Sequence, residues 1–149
     1  MREEGRRLET RGYRDLKVWS KGMELAALVY GLAKLMPKEE QYRMTSQMLR
    51  AAASVPANIA EGHQRATRKD HAHFVSIARG SLAETETFLL LASRVGLLTP
   101  QAVAPALALA DELSRMLNVL RAKLAQSPPP SSLTPVSSPL NPIPCPLAP

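Results

Sequence analysis

The run Ser46-Gln47-Met48-Leu49-Arg50-Ala51-Ala52-Ala53-Ser54-Val55-Pro56-Ala57-Asn58-Ile59-Ala60-Glu61-Gly62-His63-Gln64-Arg65 decides how the chain folds. Arg50, Ser54, Asn58, Glu61 or Gly62, and Arg65 recur every three or four residues, so a helix gathers them into one polar stripe. Met48, Ala51, Ala52, Val55 and Ile59 fill the stripe beside it. A helix with polar groups next to its core-facing side must partner them, because an unpartnered buried polar group costs about 1–3 kcal/mol. Pro56 lacks a backbone N–H, which predicts a kink near Ala52 to Ser54. Gly62 is the expected stop, giving a helix from about Glu39 to Gly62.

Helical periodicity continues on both sides of this run, and no alternating strand pattern competes with it. A preceding helix is expected from Asp15 to Met36. It has one apolar ridge at Leu16, Trp19, Met23, Ala26, Ala27, Tyr30 and Ala33 and a second at Leu25, Leu28, Leu32 and Leu35, so two of its sides call for burial. Pro37 ends it. After the run, Thr67 caps a third helix, with Asp70 three residues on, and Phe74, Ile77, Ala78, Leu82, Thr85, Phe88, Leu89, Ala92 and Val95 form its apolar side. Gly96 closes that helix, and Thr99-Pro100 opens a fourth that runs to about Gln126. Four long helices with short connections predict an all-α, antiparallel up-down four-helix bundle.

In the third helix, Gly80-Ser81 interrupts the larger side chains, and Glu84 lies one turn further on. Gly80 costs a helix interior about 1 kcal/mol relative to Ala, which is explained if another helix approaches closely there. Packing the polar stripe of the second helix over this spot predicts an Arg50–Glu84 ion pair inside the bundle. It also predicts that Asn58 bonds backbone freed by Pro56. Arg50, Ser54, Asn58, Glu61, Gly62, Gly80, Ser81 and Glu84 are thus read as a structural polar motif.

Charge divides the chain into three parts: a basic N-terminal arm (1–14), the bundle (15–126) and a Pro-rich segment (127–149). All 19 Lys and Arg and all 13 Asp and Glu fall within residues 1–126, for a net charge of +6. An excess of this kind favours an anionic partner. The candidate nucleic-acid contacts are Arg65, Arg68, Lys69, Arg79, Lys17 and Lys21. The aromatic side chains are only Tyr13, Trp19, Tyr30, Tyr42, Phe74 and Phe88, too few for base stacking to dominate, so phosphate contacts should. Residues 127–149 hold nine of the 13 prolines and no charged side chain, the composition of a disordered or polyproline-like tail. Its PxxP spacings, Pro139 to Pro142 and Pro146 to Pro149, lack a flanking basic residue.

Several classes of function are excluded or disfavoured. Cys145 is the one cysteine, so no disulfide framework or cysteine metal site exists within a chain. No window is apolar enough to span a membrane and the start lacks a secretory h-region, which points to a cytoplasmic, soluble protein. His71 and His73 point about 160 degrees apart on a helix, and His63, His71 and His73 read as solvated side chains. No phosphate loop, nucleophile elbow or zinc spacing is present, so no catalytic residue, cofactor, metal or small-molecule substrate is expected.

The stretches Tyr13-Arg14-Asp15-Leu16-Lys17-Val18-Trp19, Ser46-Gln47 to Arg50-Ala51, Ser54 to Gly62, and Gly80-Ser81-Leu82 with Glu84 resemble, in this order, a known family. It comprises four-helix bundle proteins encoded in intervening sequences of 23S ribosomal RNA genes. Its relatives include the accessory variability proteins of diversity-generating retroelements. The resemblance implies a ring-like homopentamer of four-helix bundles with a basic surface, no enzymatic activity, and, in the retroelement relatives, binding of RNA or DNA and a reverse transcriptase. The Pro-rich segment departs from the family. Two functions follow as expectations: an oligomeric bundle binding nucleic acid as accessory to a reverse transcriptase, or a protein-interaction scaffold without nucleic acid.

Overall fold

Ordinary amphipathic spacing becomes four helices in the computed structural model, which describes residues 12–126. Most of the N-terminal arm and the whole Pro-rich segment, with Cys145 and its PxxP spacings, lie outside the described residues. A single 3-10 turn, Tyr13–Asp15, precedes α1 (Lys17–Ala33). Leu16 is extended between them, and the Tyr13 ring stands edge-on to Trp19 at 5.4 Å. The chain continues through α2 (Ser46–His63), α3 (Arg68–Arg94) and α4 (Pro100–Ala125), with no strand among the described residues. α1 packs on α2, α2 on α3, α3 on α4, and α4 closes back on α1. Short connections reverse the chain each time, so the starts of α1 and α3 lie at the same end of the bundle as the ends of α2 and α4.

α1 buries one ridge rather than two. Val18, Gly22, Leu25, Val29 and Leu32 are buried at alternating spacings of four and three, followed by Met36 beyond the helix end. Met23, Leu28, Tyr30 and Leu35 of the expected ridges stay exposed. A bundle helix turns one stripe of limited width towards its neighbours, and two full ridges exceed it.

The second helix begins later than its composition suggests. After α1 the chain passes through a 3-10 turn, Lys38–Glu40, and a wide irregular turn, Gln41–Thr45, in which Arg43 has φ −110° and ψ −109°. These residues make the reversal, while Met36 and Thr45 dip back into the protein. From Ser46 the helix is continuous to His63 with a buried Pro56 inside it, and the backbone break falls at Arg43, not in the turn before Pro56. Gly22 of α1 faces that proline, and a Cβ on Gly22 would stand 3.3 Å from the Pro56 Cβ.

Caps set the remaining boundaries where the sequence placed them. Thr67 accepts the Asp70 N–H at 3.1 Å and Thr99 accepts the Ala102 N–H at 3.1 Å, each covering an otherwise free donor of the first turn. α3 ends at Gly96, whose φ of 78° belongs to the left-handed region. Leu97 N–H then reaches the Ala92 carbonyl at 2.9 Å and Gly96 N–H the Ser93 carbonyl at 3.2 Å, a glycine-closed helix end. Leu25, Met48, Ile59, Val75, Leu89, Leu113 and Leu117 are fully buried, whereas Trp19 and Phe88 sit only at the edge of the core. The core is aliphatic, as the scarcity of aromatic residues requires.

Candidate nucleic-acid interface

Antiparallel packing brings the basic first turns of α1 and α3 beside the basic last turns of α4. α4 serves both neighbours. Asn118 and Arg121 face α3, across from Lys69, His73 and Ser76, around an open groove of about 320 Å³ also lined by Ala72, Ala122 and Ala125. Arg115 and Lys123 face α1 across from Lys17, around a second groove whose walls are Leu16, Val18, Met116, Val119 and Leu120. No carboxylate lines either groove.

Side-chain bonds hold part of this surface in place. Arg121 Nε donates to Ser76 Oγ at 3.1 Å, and Ser76 Oγ in turn donates to the Ala72 carbonyl at 3.1 Å. Arg68 donates to the Lys123 carbonyl at 2.5 Å, covering one of the carbonyls left free at the end of α4. The ion pairs among the described residues are Lys21–Glu112 at 3.4 Å, Arg65–Glu61 at 2.6 Å, and Arg115–Asp111. Lys17, Lys69, Arg121 and Lys123 belong to none of them.

The six basic residues singled out from sequence therefore divide. Lys17 and Lys69 line the two grooves, and Arg68 joins α3 to the end of α4. Lys21 is committed to Glu112. Arg65 is held by Glu61 and lies over the Phe74 ring, 4.6 Å from its centroid. Arg79 sits ten residues beyond Lys69, about 15 Å along α3 at 1.5 Å per residue, and lines neither groove. Arg115, Asn118, Arg121 and Lys123 are the residues that sequence reading missed. Residues 113–125 hold three cations and no carboxylate, and the predicted antiparallel order already set them beside the start of α3; joining those two readings would have found them.

The structural polar motif is formed in part. Ser81 Oγ donates to Ser54 Oγ at 2.9 Å across α2 and α3, so the polar stripe of α2 does pack over Ser81. Asn58 Nδ2 donates to Ser54 Oγ and to the Ser54 carbonyl, both at 2.8 Å. The carbonyl that loses its partner to Pro56 is that of Ala52, four residues earlier, so Asn58 bonds a different one. Arg50 and Glu84 are both exposed and form no ion pair with each other. Two charges that can stay in water avoid the desolvation a buried pair demands. The close approach is at Gly62, where a Cβ would stand 2.8 Å from Phe74 Cβ and 3.2 Å from His71 Cδ2. Gly80 is exposed and has open space instead.

His73 is exposed, as expected, but the other two histidines depart from expectation. His63 and His71 are half-buried and meet edge to face at 5.9 Å, with His63 Nδ1 and His71 Nε2 buried and unpartnered. Burial first, then His63 and Arg68, holds the His71 pKa below its usual 6.5. Among the described residues no three His, Cys, Asp or Glu side chains are placed to hold a metal ion, and no helix is long and apolar enough to cross a membrane.

Residues 14–119 match a family model described as 23S rRNA-intervening sequence protein. A crystal structure of a protein of unknown function from the S23 ribosomal protein family of Bacteroides thetaiotaomicron is similar, with a TM-score of 0.66 and 28% identity. The match covers 70% of this chain and 97% of that one. No curated protein matches.

Proposed function

We propose that this chain, which belongs to the 23S rRNA-intervening sequence protein family, is a non-enzymatic oligomeric bundle that holds nucleic acid by its phosphates at the basic end. The observation that carries this reading is the convergence of Lys17, Lys69, Arg121 and Lys123 from three helices, none paired with a described carboxylate. Cations on helices neutralise phosphates without reading sequence. Four such contacts to a single strand predict an affinity that falls roughly 50-fold between about 50 and 200 mM salt, from a slope of about −0.7 per contact. Fluorescence anisotropy of a labelled RNA and a labelled DNA across that range tests it. A binding constant that does not change with salt rules out phosphate neutralisation.

Assembly is supported by apolar side chains left in water. Met23, Ala27 and Tyr30 follow one line of α1, and Leu90, Leu91 and Val95 crowd the last turns of α3. The resemblance suggests a pentamer, which the mass of the full chain in solution tests. It also suggests a reverse transcriptase as partner, with this protein as its accessory. Co-purification of the full chain with a co-expressed retroelement reverse transcriptase, lost when the basic end is neutralised, is the expected result.

A further inference from the structure

The geometry points to the α3/α4 groove as a seat for the phosphodiester backbone of a single strand, with Lys69 and Arg121 as its two anchoring cations. This assignment rests on the nucleic-acid reading above and makes it specific to one site. Arg121 is pre-oriented: its Nε is engaged by Ser76 Oγ at 3.1 Å, and that oxygen is itself tied to α3 through the Ala72 carbonyl at 3.1 Å. The two terminal nitrogens of the guanidinium are left for a ligand, in the planar fork that matches phosphate oxygens. A side chain already fixed loses less rotamer freedom on binding.

The opposite wall completes the donor set. Lys69 lies in the first turn of α3, His73 one turn on, and Asn118 one turn before Arg121 on α4. All of these can donate N–H groups, and no lining residue is a carboxylate. Three alanines, Ala72, Ala122 and Ala125, line the groove between these donors, and their short side chains leave the donors sterically open to a phosphate. From Lys69 to Ser76 the wall is about 10 Å long at 1.5 Å per residue, the scale of a short piece of backbone rather than of a duplex. The carbonyls at the end of α4 would repel an anion, and Arg68 covers one of them. The groove has no Phe, Tyr or Trp to stack a base, so binding here is indifferent to sequence.

The test uses the full chain and a fluorescein-labelled 20-nucleotide oligouridylate, read by anisotropy at several salt concentrations. The variant Lys69→Gln/Arg121→Gln removes two charges from the groove, and Lys34→Gln/Lys38→Gln removes two exposed charges from the opposite end of the bundle. The groove variant should weaken binding at least tenfold at 100 mM salt and flatten the salt slope by about 1.4, two contacts at about 0.7 each. The control variant should stay within about twofold of the parent, the range expected when total charge alone changes slightly. Equal losses from both variants, or no loss from either, overturn the groove while leaving nucleic-acid binding in place. No binding by the parent chain overturns both readings. Binding of a free nucleoside diphosphate as tightly as of the oligonucleotide overturns the backbone assignment.

Discussion

Gly62 and Phe74 meet so closely that a Cβ on Gly62 would lie 2.8 Å from the Phe74 Cβ. The contact joins the last turn of α2 to the first turns of α3, and it sets how the short connection between them folds back. Arg65 then covers the Phe74 ring from outside, 4.6 Å above its centroid. Gly62→Ala therefore forces backbone apart, because the obstructing atom is next to the main chain. Overpacking of this kind costs about 1–3 kcal/mol, more than the ~1 kcal/mol that Ala contributes to a helix over Gly. Gly80 has nothing within 4 Å of the same position, so Gly80→Ala should stabilise by up to about 1 kcal/mol. Urea midpoints of the two variants should shift in opposite directions; shifts in the same direction contradict this account.

The Ser54–Ser81 bond makes a second prediction. Ser54→Ala removes the acceptor shared by Ser81 and by Asn58 and leaves the Ser81 hydroxyl buried without it. The expected loss is about 1–3 kcal/mol, and a double-mutant cycle with Ser81→Ala should show coupling of about 0.5–1.5 kcal/mol. By contrast, Glu84 is exposed and away from Arg50. Glu84→Gln should change stability by less than about 0.5 kcal/mol, and a large drop in melting temperature would restore the ion pair that the sequence suggested.

His71 makes stability depend on pH in a defined direction. Its folded pKa lies below 6.5, so between that lowered value and 6.5 the unfolded chain binds more protons than the folded one. Stability then rises with pH across this window: the contribution is complete above 6.5 and is lost as pH falls from 6.5 towards the folded value. Denaturation midpoints measured from pH 8 down to pH 5 should decline through that interval in the parent chain. His71→Gln should flatten the decline, and an unchanged profile would assign it to other groups.

The exposed apolar lines predict where subunits meet. Tyr30→Glu on α1, and separately Leu91→Glu on α3, place a charge where burial against a second copy would have to desolvate it. Either substitution on an interface should lower the mass seen by light scattering while leaving the helical circular dichroism spectrum intact. If both variants keep the parent mass, these faces are not the contacts.

Local chemistry is what the sequence read well. Thr67, Gly96, Thr99 and Pro100 placed helix boundaries because caps act within a turn. The second helix starts later than its composition suggests, and the backbone break lies at Arg43 rather than beside Pro56. The reversal before α2 is set by Met36 and Thr45 returning to the interior, and no short-range pattern marks that. Val18 and Val29 belong to neither ridge expected of α1, and the positions of α2 and α4 select them together with Leu25 and Leu32.

By itself the sequence determined the helical class, the order of the helices, the aliphatic core and the net positive charge, since these follow from composition and from periods of three and four residues. Tertiary structure alone decided which charges stand together. Arg121 meets Ser76 across 45 residues of chain and Arg68 meets the Lys123 carbonyl across 55. It also decided that Gly62 rather than Gly80 is the point of close approach, because a glycine's role depends on what faces it. A helix shows its own faces in its sequence, but the facing surface belongs to another part of the chain, and only packing brings the two together.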